Sequence, residues 1–252
     1  MGAPRLSRPV SAPGPDKRRL DPKAREEAIV KAAIAFFAEH GFDGSTRELA
    51  SRLGITQPLL YRYFPSKEAL LDRVYEEVYV HRWNKGWQDG LTDRTLPLEA
   101  RLVRFYQDYA RIILTYEWIR LFMFAGLKGL DFNARYLAFL RTSAFEVVVR
   151  EIRHEAGLAA QAPISAGEVE LIWGLHASIF YVGVRQFIYG MPGPQDLAAD
   201  IRLRVKAFVH GAPDAFRDLT PPAEPAAARP SNRPSARPST PGPKAARSRR
   251  PV

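Results

Sequence analysis

The sequence predicts an all-α fold between its two ends, and three observations carry that expectation. Apolar residues recur three and four positions apart, the period of one helix face. Alternating β-branched runs, which a half-buried strand needs, are few. The pattern is punctuated at Gly and Pro, where helices stop or restart.

The first helix is expected over 22 to 40, with Ala28, Ile29, Ala32, Ala33, Phe36 and Phe37 as one stripe. Gly41 follows where a left-handed residue is cheapest. Ser45 precedes Glu48 by three, the capping-box spacing, so a second helix starts near Thr46 and closes at Gly54. Thr56 caps a third helix, and Pro58 fits its first turn, where an N–H has no intrahelical partner. Pro65 stops it. Ser66 caps a fourth helix, with Glu68 in its first turn and Leu70, Leu71, Val74 and Val78 continuing towards Trp83. The segment Gly86 to Pro97 reads as a break. Further helices are expected near 98–115, 117–128, 132–156, 166–189 and 195–209. There is no internal repeat.

The ends differ from the middle. The chain has 252 residues, 21 prolines and a net charge of +10. Residues 1–20 carry five basic residues against Asp16, and residues 221–252 carry seven against Glu224, so the span between them is neutral by count. Both ends are rich in Pro, Ala and Ser and lack an apolar period, so residues 1–21 and 219–252 read as disordered basic tails. Non-specific phosphate attraction and plain solvation are both open for them. With no cysteine, disulfides, thiolate metal sites and cysteine nucleophiles are excluded. No apolar segment follows the basic N-terminal residues, and the stretch Leu171 to Val184 is interrupted by Gly174 and His176. No export or membrane span is expected, and the cytoplasm is the expected location.

Residues 45–64 carry the functional signal. Two helices meeting steeply need a small residue at the contact, a turn residue that accepts positive φ, and apolar residues facing inward from both. Ala50, Gly54, and the group Leu49, Leu53, Ile55 and Leu60 meet those needs in order. With Leu60 inward, Gln57, Pro58, Leu59, Tyr61, Arg62 and Tyr63 remain on the outer face. A helix that enters the major groove of DNA needs base-edge hydrogen bonders and apolar surface there. Gln57 suits adenine, Arg62 suits guanine or a phosphate, and Pro58 or Leu59 suits a thymine methyl group. Tyr61 and Phe64 also fit a core-covering role, and Lys67 with Glu68 fits an exposed helix start.

Ser45 to Ala50, Gly54-Ile55-Thr56, Leu60-Tyr61-Arg62-Tyr63-Phe64 and Ser66 to Leu71 together resemble the TetR family of bacterial transcriptional regulators. The likeness covers Ile29 to Val78, within the first third of the chain. It implies that Thr46, Tyr61, Tyr63 and Lys67 hold phosphates, and that Arg47, Gln57, Pro58, Leu59 and Arg62 meet bases. Leu59 departs from the small or hydroxylated residue common at its position, which leaves the base preference there open. The resemblance divides the chain into a helix-turn-helix DNA-binding domain over 22–82 and an effector-binding and dimerisation domain over 83–218. It implies double-stranded operator DNA, a small-molecule effector and a second copy of the chain as partners, with no membrane.

Within the second domain Tyr109, Tyr136, Trp173 and His176 are candidate effector contacts, because they are polar or amphipathic groups within apolar helical context, although a lone His such as His176 is more often a hydrogen-bonded core residue. Gly174, Ala177, Ser178 and Gly183, with Leu197, Ile201, Val205 and Phe208 on the next helix, are expected to pack against a symmetry mate, with closure of the chain's own core as the competing reading. No His and carboxylate spacing suggests a metal, and no cofactor is expected. The expected function is a sequence-specific regulator, a ligand-responsive repressor acting as a homodimer on a palindromic operator. A non-specific basic nucleic-acid binder is the alternative. An enzyme is not expected, because the sequence lacks a Gly-rich phosphate loop, Gly-x-Ser-x-Gly and His-Glu-x-x-His.

Overall fold

The computed structural model describes residues 21–219, and the predicted basic tails otherwise lie outside the described residues. Helices α1 (Pro22–His40), α2 (Thr46–Arg52), α3 (Gln57–Tyr63) and α4 (Lys67–Tyr75) come first, and α4 runs on into a π-helical turn, Glu76–Val80. Then follow α5 (Gly86–Thr92), α6 (Leu98–Ile113), α7 (Tyr116–Leu127), α8 (Phe132–Leu140), a second π turn (Arg141–Phe145), α9 (Glu146–Glu155), α10 (Ala166–Phe187) and α11 (Leu197–Leu219). There is no strand among the described residues. The all-α expectation holds.

Local chemistry explains most helix starts. The Asp21 carboxylate accepts the Lys23 N–H and opens α1, and Thr56 and Ser66 accept from the third residue of α3 and α4. At Ser45 the expected reciprocal box does not form. Its hydroxyl accepts from Arg47, while Glu48 turns to Arg52 one helical turn on, an ion pair competing for the same carboxylate. A complete capping box occurs instead at Ser165 and Glu168, opening α10. Gly54 has φ of +64°, while Gly41, at φ +71° and ψ −179°, ends α1 in the extended positive-φ region that is essentially glycine's alone, not in the left-handed turn expected there.

Three further expectations change. The segment expected as a break contains α5, because burial of Trp87 and Leu91 overrides the weak helix propensity of Gly86 and Gly90. Helix α11 continues beyond 209 through Gly211 and Pro213 to Leu219, held by the buried Ala212 and Phe216. Ala28 is exposed, so the inward stripe of α1 is carried by Ile29, Val30, Ala33, Ile34, Phe36, Phe37 and Ala38.

One cluster of buried apolar residues runs from α1 to α11. Helix α1 lies against α7 and α4, α6 lies against α5 and α11, and α10 lies between α11 and α7. Ile201 and Val205 are buried in this core rather than left for a symmetry mate, and a Cβ on Gly183 would sit 2.8 Å from the Ile119 side chain. On α10, Gly174, Ala177 and Tyr181 remain exposed, as does Leu203 on α11. No helix of the described residues is long and apolar enough to cross a membrane.

Candidate nucleic-acid interface

Helix α3 is seated by Leu60, which is 1% exposed, against Leu49 and Ala50 of α2, and Phe64 is buried behind it. That anchoring leaves the opposite face of α3 outward. Pro58 and Arg62 are exposed, Gln57 and Leu59 are partly so, and Tyr61 keeps 38% of its surface. Arg47 is exposed on α2. Among the described residues, neither the Arg47 nor the Arg62 guanidinium has a hydrogen-bond or ion-pair partner, which leaves two fixed positive charges free on one face.

A side-chain interlock joins the two helices. The Gln57 amide donates to Thr46 Oγ1 at 3.0 Å, and the Tyr61 hydroxyl lies 3.0 Å from the same oxygen. Thr46 is itself buried, at 7% exposure, so this oxygen is a fixed point. Rotamer freedom of Gln57 and Tyr61 is thus already lost on folding. The sequence reading placed all three at the interface but missed their mutual contact, which no local spacing signals.

Lys67 is half-buried. Its ammonium donates to the Gly44 carbonyl at 3.0 Å and lies 5.9 Å from the Phe37 ring centre, with two of its three donors uncommitted by those contacts. Tyr63 is half-buried beside the core. Behind the interface, Arg52 donates to Glu39 at 2.8 Å and holds that carboxyl below its usual range. Arg120 of α7 reaches the end of α1, donating to the Ala38 carbonyl at 2.5 Å.

In the body, the four candidate effector residues meet. The Tyr109 and Tyr136 hydroxyls lie 2.7 Å apart, the Tyr109 ring stands 5.7 Å from His176, and Trp173 stands 5.7 Å from His176. Burial drives the His176 imidazole down to about 4, so it is neutral at pH 7, and burial pushes the Tyr79 and Tyr109 phenols up. The surrounding wall includes residues the sequence reading did not assign to the site: Tyr79, Trp87 and Trp118. A signal existed, since Tyr75, Tyr79, Trp83 and Trp87 recur every four residues. The space among these rings admits no water molecule. Among the described residues no group of three or more His and carboxylate side chains is arranged to hold a metal.

All-helical architecture with a capped two-helix reading face defines a helix-turn-helix protein. Residues 29–74 match the family described as bacterial regulatory proteins, tetR family. Through that segment the chain is similar to the TetR family. It is 33% identical over 100 residues to the tetracycline repressor protein class D of Escherichia coli, covering 36% of this chain and 45% of that one. It is also 33% identical over 106 residues to the HTH-type transcriptional regulator RutR of Escherichia coli K12, covering 42% of each. The chain thus spans less than half the length of these curated relatives. Two solved structures share its fold: a TetR family regulator from Pseudomonas syringae pv. tomato DC3000, at 19% identity and a TM-score of 0.53 over 74% of this chain and 95% of that one, and one from Streptomyces coelicolor, at 18% and 0.55 over 79% and 86%.

Proposed function

We propose that this protein is a sequence-specific DNA-binding transcriptional regulator, a ligand-responsive repressor that acts as a cytoplasmic homodimer on a palindromic operator. Residues 22–82 serve as the reading head, and residues 83–218 bind the effector and the second copy. The observation that carries the reading is the outward face of α2 and α3: unpaired Arg47 and Arg62 beside a Gln57 and a Tyr61 already fixed on Thr46. Arg47, Gln57, Pro58, Leu59 and Arg62 meet bases, and Thr46, Tyr61, Tyr63 and Lys67 hold phosphates. Repression follows the relatives named as repressors. Two heads related by a dyad would reach half-sites about 34–36 Å apart. An effector that favours another tilt of α4 changes that separation and lowers operator affinity by its differential affinity for the two arrangements.

The test is selection of bound duplexes from a random pool by the full chain, followed by affinity measurements for Arg47→Ala with Tyr61→Ala. A dyad-symmetric consensus bound at least a hundredfold less tightly by the double variant is expected. Enrichment without a consensus, or binding that survives both substitutions, would overturn the reading. Repeating the titration without residues 1–20 and 221–252 separates it from binding driven by basic tails, whose affinity would collapse with them.

A further inference from the structure

Buried polar atoms without partners mark an aromatic site behind Trp87. The Tyr79 hydroxyl and the Trp87 indole nitrogen are both buried and unpartnered among the described residues, and both side chains border the narrow space beside Tyr109 and Tyr136. A well-packed core pairs such atoms or replaces them with carbon. The Tyr109 and Tyr136 pair has two hydroxyl protons and one mutual bond, which leaves a further donor. Tyr79 lies in one π turn and Phe145, packed on Trp173 and His176, in the other. Such turns are uncommon and concentrate at functional sites.

Trp87 also borders a second, wider space. A cleft of about 460 Å³ between α5 and α6 is lined by Trp87, Phe105 and Arg104, so the indole is a partition between cleft and interior. The partition sits on a seven-residue helix with no side-chain hydrogen bond at its N-cap. Turning Trp87 into the cleft would give its N–H access to water and would free the volume of an aromatic ring beside Tyr79.

Resting on the reading that the body takes a small effector, we propose that the effector is an uncharged aromatic molecule bearing a carbonyl or similar acceptor. It enters through the α5–α6 cleft as Trp87 swings out, stacks among the rings of Trp118 and Tyr136, and accepts a hydrogen bond from Tyr79. The wall offers no charged partner to a carboxylate except Arg82 at its margin, which is exposed and stays in water.

All four tryptophans belong to the aromatic region around this site, so intrinsic fluorescence of the full chain reads it directly. Acetophenone should change the fluorescence saturably, ethylbenzene should bind about tenfold more weakly for want of one hydrogen bond, and benzoate should not bind. Tyr79→Phe should weaken acetophenone about tenfold without lowering the melting temperature, because the hydroxyl has no partner to lose. Trp87→Phe, a smaller partition, should bind acetophenone at least as tightly as the parent. Equal binding of ethylbenzene, unchanged binding by Tyr79→Phe, loss of binding in Trp87→Phe or no saturable response would overturn the site. Release from the selected operator is measured separately. Acetophenone binding without release would sink the effector reading and leave the site standing.

Discussion

Arg153 and Glu168 form a two-pronged ion pair, with Nε to Oε1 and Nη2 to Oε2 both at 2.7 Å and neither side chain exposed. Every donor of the guanidinium is used. Nη1 donates to the Ala159 and Ala162 carbonyls and Nη2 also to that of Pro163, while Glu168 accepts from the Ser165 N–H and hydroxyl. The pair therefore fastens the connection between α9 and α10 as well as the start of α10. Its worth lies in the completeness of pairing, since removing one partner leaves a buried charge. Arg153→Met should cost about 3–5 kcal/mol, and Arg153→Met with Glu168→Leu less than the sum of the single changes. Urea denaturation of the four proteins gives the coupling, and additive losses would refute it.

The Thr46 interlock gives a prediction about binding rather than folding. Thr46→Val keeps the branched shape and removes the oxygen that Gln57 and Tyr61 share. Both side chains regain rotamer freedom that binding must then remove, at roughly 0.5–1.5 kcal/mol each. Operator affinity should fall at least about tenfold, the phosphate contact proposed for Thr46 adding to the ordering cost, with sequence preference retained. Arg62→Ala should behave differently, relaxing discrimination at one base pair by roughly 1–3 kcal/mol if the guanidinium reads a base edge. Titrations against the consensus and single-base variants distinguish these outcomes. A uniform loss for Arg62→Ala would assign it to a phosphate instead.

The two observations also show what a sequence discloses. Helix α1 and the α2–α3 turn are legible because their determinants are local: the apolar stripe of α1, Ser45 and Thr56 as caps, Gly54 for positive φ, and Leu49, Ala50 and Leu60 as an inward patch. Helix α5 is hidden, because its glycines speak against it and the burial of Trp87 for it depends on distant helices. Ile201 and Val205 are expected on a dimer face, but the same pattern suits a core, and α6 and α9 bury both by packing on α11. The Tyr75, Tyr79, Trp83 and Trp87 series is visible in the text, but a spacing of four drifts about 40° per step on a regular helix. The wider π turn at Glu76–Val80 absorbs part of that drift, which propensity does not foresee.

His176 predicts an acid-sensitive core. Burial holds its imidazole at about 4, against 6.5 in an unfolded chain. Above pH 6.5 the ring is neutral in both states. Between pH 6.5 and 4 the unfolded chain takes up a proton that the folded chain refuses, so stability falls with pH, by ~3 kcal/mol in all at 1.36 kcal/mol per unit. His176→Gln should lack that component while sharing the acid losses of paired carboxylates such as Glu151. Urea denaturation of both proteins at pH 7, 6 and 5 checks this. Parallel stability curves would show that the ring is not the group responsible.

Arg120 links the body to the reading head through the end of α1. The last carbonyls of a helix have no intrahelical partner, and here the Arg120 guanidinium donates to those of Ala38 and Glu39 at 2.5 and 3.4 Å. Its plane rests between Tyr116 and Phe124, with centroid distances of 5.2 and 5.1 Å, so the fork is held in position from its own helix. Phe124 also packs under Gly41, where α1 turns towards α2. Helix α7, which carries Trp118 and Phe122 into the aromatic cluster, is thereby joined to the chain entering the candidate interface. Arg120→Met keeps the apolar stem and removes the donors. It should cost about 1–3 kcal/mol and speed amide exchange at residues 38–44 while leaving exchange in α10 and α11 unchanged. Arg120→Lys, which keeps the charge but loses the planar fork, should restore part of that protection. Exchange that rises equally throughout the chain in Arg120→Met would mean that the residue supports the whole fold and has no particular hold on the reading head.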